Sequence, residues 1–499
     1  MTLSKLLQGV LVRKMFQSAS GQMVVTQDIK INTIQYDSRK IGPGDMFIAI
    51  RGTEVDGHSF IVEAVNRGAK VIVVQDDRAV PDSFFMHTGV VKVVVPKTRE
   101  AMARISANCY GHPSEKLRLV GVTGTNGKTT TTYLLKSVLG DAGLIGTIEY
   151  HLGRSVVPAT HTTPESLELN ALLAQMIENG CTSAVMEASS HALDQHRVDG
   201  LRFAGAVFTN LTQDHLDYHG TMESYFAVKK MLFDTLPSNS TAVTNADDGY
   251  GLRIVQSSKA RVLTYAVSTT ADFRAENVTL STEGTRFEIV HGGERTPVVS
   301  ELIGRFNVYN ILAAFAAGVG LGISKVQLQQ RIGELRSVPG RFERIRSKRG
   351  WTAIIDYAHT PDALEKCLSA IHDLFASNRG QGRIITVFGC GGDRDRTKRP
   401  IMGRIASERS DVTIVTSDNP RSEDPEAVID EVVKGARAGA RVSRQADRKK
   451  AILKAVQEAR SGDVVLIAGK GHEAYQIVGS EKIRFSDREV VDELIADGN

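Results

Sequence analysis

The sequence predicts an α/β chain of three domains, and three observations carry that prediction. At 499 residues the chain is too long for one ordinary core, and about three domains is what such a length accommodates. Short runs rich in Val, Ile and Leu alternate with helix-period runs, as expected of mostly parallel sheets. A β-rich run over 117–122 ends in the turn Gly124-Thr125-Asn126-Gly127-Lys128-Thr129, with Thr130 next, and passes at once into a helix-compatible run. Glycines let backbone N–H groups approach an anion closely, and the helix N-terminus adds its dipole. In such a phosphate loop Lys128 would meet the β- and γ-phosphates of a nucleotide, and the Thr129 hydroxyl would sit on Mg²⁺. The strict pattern asks for glycine where Val122 stands, so a plain strand–helix turn with a solvated lysine is the competing reading.

Composition excludes several classes. Hydrophobic residues make up 41% and charged residues 24%, ordinary for a soluble globular protein. Sixty-one basic against 57 acidic residues leave a net charge of +4, near balance, so no nucleic-acid or membrane partner is implied. The basic cluster over 394–399 is suited at most to small anions. Cys109, Cys181, Cys367 and Cys390 form no C-x-x-C pair, which fits a reducing compartment with each thiol a small core group. Lys5, Arg13 and Lys14 surround a run too short for a signal peptide, and the longest uncharged apolar run, 311–323, falls below the ~20 residues of a membrane span. A cytoplasmic protein without membrane insertion is expected.

Residues 1–111 mix short strands (46–50, 70–74, 91–95) with short helical runs. Ser38, Asp56 and His58 fall on loops, where they suit either a binding surface or simple turn formation. A helix over 98–110 is broken by Gly111-His112-Pro113, which places a boundary near 112. From there to about 340 strands and helices alternate in the manner of a mostly parallel sheet, with strands at 183–187, 205–209 and 242–245. Polar residues gather where those strands end, the expected place for ligands in open α/β sheets. One cluster runs from Glu187 through Ser189 and His191 to Gln195 and Arg197; the next holds Asn210, Asp214, His215, Asp217 and His219. Carboxylates suit Mg²⁺, whereas a His-rich stretch taken alone also suits zinc. On the helical run 224–233, Lys229 shares a face with Tyr225, Val228 and Leu232. A lysine packed among apolar groups loses its preference for the ammonium form, unless its stem merely snorkels to water.

The last third repeats the doubly wound pattern, with strands at 352–355, 383–388, 412–416 and 463–468. Gly389-Cys390-Gly391-Gly392-Asp393-Arg394 follows the second of these. Arg394 occupies the last glycine position of a dinucleotide fingerprint, which rules that reading out. Asp418-Asn419-Pro420-Arg421 and Gly469-Lys470-Gly471-His472-Glu473 follow later strands. Arg394 and Arg421 could clamp a carboxylate and Glu473 could meet an ammonium, or all three could be solvated.

Taken together, Gly124 to Thr129, the run Asn210-Leu-Thr-Gln-Asp214-His215-Leu-Asp217-Tyr-His219-Gly220 and the lysine after it resemble the Mur ligase family, ATP-dependent amide-forming enzymes of peptidoglycan precursor synthesis. Leu302 to Asn310, Pro339-Gly-Arg341-Phe342-Glu343 and Asp356-Tyr-Ala-His359-Thr-Pro-Asp362 extend the resemblance over essentially the whole chain. Asp37-Ser38-Arg39, Asp56-Gly57-His58, Thr162-Thr163-Pro164 and the 187–197 stretch are most similar to the member that adds the third peptide residue.

The resemblance implies three domains: 1–111 for the UDP-substrate, a central P-loop ATPase-like domain over 112–339, and a Rossmann-like doubly wound domain over 340–499. It implies ATP as co-substrate on Gly124, Thr125, Asn126, Gly127, Lys128, Thr129, Thr130, Asn307, Arg341 and Asp356. Two Mg²⁺ ions would be held by Thr129, Glu187, His215 and Lys229, the last as N6-carboxylysine, a carbamate that turns a cation into a carboxylate-like ligand. Ser38, His58, Thr162, Thr163, Ser189, Gln195 and Arg197 would bind UDP-N-acetylmuramoyl-L-alanyl-D-glutamate. Asp-Asn-Pro-Arg resembles the signature of relatives that add meso-diaminopimelate. That implies a binding set of Arg394, Asp418, Asn419, Pro420, Arg421, Gly469 and Glu473, with Arg421 facing the extra carboxylate that lysine lacks. His359 is the candidate base for the incoming amine, and a monomer is expected. The rivals are a lysine-adding relative, a folylpolyglutamate synthetase-like ligase, which the Asp-Ser-Arg motif of the first domain disfavours, and a nucleotide-binding switch, which would leave Lys229 without purpose.

Overall fold

A computed structural model describes residues 1–19, 22–23, 29–52, 55–86, 88–377 and 382–498. The chain divides into two compact units, one of residues 1–128 with 139–263, the other of 129–138 with 264–499.

Besides the two-stranded ribbon Ser18–Ala19 with Gln22–Met23, the first unit holds two larger sheets. The N-terminal sheet orders its strands Lys14–Phe16, Val91–Val94, Val71–Val74, Met46–Ile48, Ile34–Gln35; all its pairings are parallel except the first. The strands Val71–Val74 and Met46–Ile48 are buried along their whole length, which is why they read as unbroken apolar runs rather than alternating ones. The second sheet carries five parallel strands in the order Ala142–Ile145, Ser183–Glu187, Arg118–Thr123, Gly205–Phe208, Thr241–Asn245. The antiparallel strands Glu149–His151 and Val156–Pro158 extend its edge. The phosphate-loop strand is therefore central, and the loops after its two neighbours open beside it.

In the second unit, the stretch expected to continue a parallel sheet is instead an antiparallel meander of Phe273–Ser281, Gly284–His291 and Glu294–Ser300. The connections explain the difference. Gly292 and Gly293 both take positive φ, 62° and 81°, and a two-residue turn of that kind joins antiparallel neighbours with no room for a crossover helix. The buried helix Arg305–Gly320 follows, so the apolar run at 311–323 is mostly core. Among the described residues no helix is long and apolar enough to cross a membrane.

The remaining sheet orders its strands Glu343–Arg346, Thr352–Asp356, Val464–Ala468, Ile384–Phe388, Val412–Thr416, Val442–Gln445, parallel after the first pair. The order reverses direction at the middle, the doubly wound arrangement. The hairpin Tyr475–Val478 with Glu481–Arg484 was not foreseen in the sequence; its residues are half-buried to exposed and lack a clean alternation.

Candidate active site

Gly124 takes φ 147° because its turn passes against the next strand end: a Cβ there would lie 1.9 Å from Thr209 Oγ1. The loop is held from the side by residues 209–212. Thr125 N donates to Asn210 O at 2.8 Å, Asn126 N to Asn210 Oδ1 at 3.0 Å, and Thr209 Oγ1 to Asn126 O at 2.6 Å. Those two loop amides are thus committed; the helix Lys128–Leu139 that follows has no acidic residue in its first turn to repel an anion at its N-terminus. Thr129 and Thr130 are the next residues of that helix and are buried. Lys128 Nζ folds back onto Gly124 O at 3.1 Å and Thr125 O at 2.9 Å.

Lys229 is fully buried on the helix Met222–Asp234. Its Nζ donates to Gly124 O at 3.0 Å and lies 4.5 Å from the centre of the Tyr225 ring. Burial, reinforced by the nearby Lys128 cation, pushes its pKa well below the ordinary lysine value, so the snorkelling alternative fails. Tyr225, which the sequence marked only as an apolar neighbour, joins this lysine to the loop, its hydroxyl 3.3 Å from Thr125 Oγ1. Burial moves its own phenol to about 12.

His215 adopts φ 52° and packs edge-on against His191 with ring centres 4.9 Å apart. Burial lowers its pKa, with Asp214 opposing and Lys128 and Lys229 adding to the effect, so the imidazole is held neutral with a lone pair available. Glu187, at the end of its strand, is buried and accepts from Thr147 N at 2.9 Å and Thr147 Oγ1 at 3.1 Å. Among the described residues no three His, Cys, Asp or Glu side chains converge into a metal-binding group. Glu187 offers hard oxygens that suit Mg²⁺; Lys229 fits a metal only if its amine is converted to a carbamate.

Thr162, Thr163, Ser189, Gln195 and Arg197 come together beside Glu187. Thr162 Oγ1 lies 3.1 Å from Thr147 Oγ1, and Thr163 Oγ1 donates to Glu187 O at 2.6 Å and contacts Ser189 Oγ at 3.3 Å. Arg197 donates to Thr163 O at 2.8 Å and Gln195 Oε1 at 2.7 Å, and pairs with Glu165 at 3.1 Å. Ser38 and His58 lie instead on short 3-10 turns of the N-terminal region, at Ser38–Lys40 and Gly57–Phe60. Asp37 and Asp56 cap the short turns that hold them, so these aspartates are turn-formers as their type suggests. Ser38 Oγ donates to Glu63 at 3.1 Å. His58 Nε2 accepts from Gln75 N at 3.1 Å while Nδ1 donates to Asp56 at 2.6 Å, leaving only the ring face for a ligand.

In the second unit, Asn307 is buried and wired to the phosphate-loop helix through Asn310: Asn310 Nδ2 donates to Asn307 Oδ1 at 2.8 Å, and Thr131 Oγ1 to Asn310 Oδ1 at 3.3 Å. Arg341 stacks 5.0 Å over Tyr357, and its buried Nε has no hydrogen-bond partner among the described residues. Asp356 accepts from Phe342 N at 2.7 Å, and burial raises its pKa against the pull of Arg341. His359 is exposed; its Nδ1 donates to Tyr357 O at 2.8 Å, which leaves Nε2 as the acceptor a base needs.

Two loops of the third sheet pack together. A Cβ on Gly391 would lie 2.9 Å from Arg421 Nη1 and 3.7 Å from Arg394 Cγ, so both arginines flank one glycine. Arg421, at φ 53°, donates to Gly392 O at 2.8 Å, while Arg394 is exposed. Asn419 and Glu473 are bonded at 3.0 Å, and Glu473 also pairs at 3.2 Å with Lys470, a fully buried lysine absent from the sequence-predicted set. Glu473 is thus partly neutralised before any ligand arrives. Asp418 is buried next to Gly469, and its Oδ2 has no hydrogen-bond partner among the described residues. Pro420 O accepts from Glu423 N at 3.1 Å, closing the turn over 420–423.

Comparison with known proteins then narrows the chemistry. Residues 122–318 match the family description "Mur ligase middle domain", residues 340–471 "Mur ligase, glutamate ligase domain", and residues 30–110 "Mur ligase family, catalytic domain". The chain is 47% identical over 487 residues to a UDP-N-acetylmuramoyl-L-alanyl-D-glutamate--2,6-diaminopimelate ligase of Geobacter sulfurreducens, covering 92% of this chain and 93% of that one. It is 44% identical to the protein of the same name from Parabacteroides distasonis, covering 97% and 99%. A solved structure of a ligase with that name superposes with a TM-score of 0.69 at 32% identity, covering 96% of this chain and 98% of that one.

Proposed function

The chain belongs to the Mur ligase family, and from that premise we infer that it is the ATP-dependent ligase that adds diaminopimelate to UDP-N-acetylmuramoyl-L-alanyl-D-glutamate. The observation that carries this reading is full-length similarity, at 47% identity over 92% of the chain, to a relative named for that reaction. The three parts are divided at 111/112 and 339/340.

The D-glutamate side-chain carboxylate attacks the γ-phosphorus of ATP, giving an acyl phosphate and ADP; the amine of diaminopimelate then attacks the acyl carbon and phosphate leaves. The helix amides after Gly127 and the Lys128 ammonium meet the charge of the transferring phosphoryl group. Glu187, His215 and Thr129, with Lys229 as its carbamate, would hold Mg²⁺, which supplies further neutralisation there. The buried, neutral amine of Lys229 is the form that reacts with CO₂, and Tyr225 holds it against Gly124. Thr162, Thr163, Ser189, Gln195 and Arg197 orient the UDP-linked dipeptide beside Glu187, with Ser38 and the His58 ring face serving its uridine end. Asn307, Arg341 and Asp356 contact the nucleotide. In the third sheet, the Asp418 oxygen, unpartnered among the described residues, with Asn419 and Glu473 suits an ammonium group beside Gly469, while Arg421 and Arg394, both beside Gly391, suit the distal carboxylate. His359 Nε2 accepts the proton from the amine.

Phosphate release from ATP with the UDP-dipeptide tests the reading, comparing meso-diaminopimelate with L-lysine. Release with diaminopimelate and formation of a UDP-tripeptide are expected. Equal use of lysine would overturn the specificity, and silence with both amines would overturn the ligase.

A further inference from the structure

Arg399, on the helix Lys398–Arg409, is an arginine with no exposed side-chain surface. Nη1 donates to Glu423 Oε2 at 2.8 Å and to Glu431 Oε2 at 2.9 Å; Nη2 donates to Glu423 Oε1 at 2.7 Å and to Gly391 O at 3.2 Å. Glu423 also accepts from Asp393 N at 2.6 Å, and the Asp393 carboxylate accepts from Ser422 N at 3.1 Å and Ser422 Oγ at 2.7 Å. These bonds form a closed circuit. It leaves Arg399, passes through the loop 389–394, crosses to the loop 418–423, and returns to Arg399.

Each of those two loops carries one of the arginines that flank Gly391. Each also contains a non-glycine residue in the left-handed region, Asp393 and Arg421, both at φ 53°. Such residues persist only where their surroundings hold them. A buried guanidinium between two carboxylates adds little net stability compared with an apolar side chain of the same size. What its planar fork adds is geometry, since it sets the positions of several acceptors at once.

We propose that Arg399 is a positioning residue for amino-acid specificity, holding the two loops at the spacing at which Arg394 and Arg421 together meet the distal carboxylate of the incoming amino acid. The proposal rests on the diaminopimelate reading above. It predicts that loosening the circuit impairs recognition of that carboxylate and little else, because ATP and the UDP-dipeptide are bound by other residues.

The test is steady-state kinetics of Arg399→Lys, which keeps the charge and loses the fork, and of Ser422→Ala, which breaks only the exposed end of the circuit. For Arg399→Lys the KM for diaminopimelate should rise about tenfold or more, with kcat and the KM values for ATP and UDP-dipeptide within about threefold. The ratio of diaminopimelate to lysine utilisation should fall in step. Ser422→Ala should move the same constant in the same direction by about threefold, and it decides alone if the lysine variant does not fold. An unchanged diaminopimelate KM in both variants would overturn the proposal. So would a parallel rise for all three substrates in Arg399→Lys with no effect in Ser422→Ala, since that is what a purely structural role gives. Wild-type protein inert towards diaminopimelate would instead overturn the parent reading, before any variant is compared.

Discussion

The phosphate loop and the paired loops of the third sheet are both glycine-rich turns leaving parallel strands, yet they are held in opposite ways. The loop 124–128 is fixed by main-chain, threonine and asparagine hydrogen bonds from residues 209–212, and a lysine is buried against it with a backbone carbonyl as its hydrogen-bond acceptor. The loops 389–394 and 418–423 are fixed by ion pairs centred on Arg399, Glu423 and Glu431. The ligands proposed for the two sites would explain the contrast. A polyphosphate site needs cationic and N–H groups left over, so neutral bonds must shape it. A site for an amino acid carrying both signs needs its framework charges cancelled internally, so that the few remaining ones are those the ligand meets.

The largest expected effect breaks the first side of that comparison. Lys128→Ala removes the one side-chain cation of the phosphate loop and should lower kcat about a hundred- to a thousandfold, measured as phosphate release. Lys229→Ala should be of similar size but differ in kind. Added short-chain carboxylic acids should restore part of its activity by replacing the carbamate oxygens, and they should do nothing for Lys128→Ala. A Lys229→Ala enzyme with normal turnover would remove the carbamate from the mechanism.

On the other side, Arg421→Ala should raise the KM for diaminopimelate about ten- to a hundredfold, the usual worth of a charge-assisted pair, while leaving lysine no worse a substrate than before. A smaller effect concerns the framework itself. Arg399 holds the Glu423 carboxyl down at about 2, below its ordinary 4.5. The folded state therefore binds fewer protons than the unfolded one between those values, and the stability this provides is present above about 4.5 and is lost as pH falls towards 2. Glu423→Gln should flatten acid unfolding over that window. Trp351, the single tryptophan and buried in the core of the same sheet, reports it by fluorescence.

Much of this was legible in the sequence because it is local. The phosphate loop, the strand ends after 187 and 208, and the apolar face around Lys229 depend on residues within a few positions of one another. The antiparallel meander was not legible, because strands of either pairing read as similar short runs and only the turn at Gly292-Gly293 separates them. Tyr225 bonding Thr125, Lys470 beneath Asn419 and Glu473, and Arg399 joining Gly391 to Glu423 and Glu431 were also hidden, since each links positions brought together by strand order.

The sequence by itself determined the α/β class and the strand–glycine turn–helix, because glycine placement and hydrophobic period act over one or two turns of chain, and its motifs carried the family resemblance that implied the chemistry. Tertiary structure alone decided that Lys229 is buried without a carboxylate hydrogen-bond partner among the described residues, that both His58 nitrogens are spent on Asp56 and Gln75, and that Arg399 is sealed between two loops. Burial and pairing set the charge state and reach of a polar side chain, and neither exists until distant segments pack.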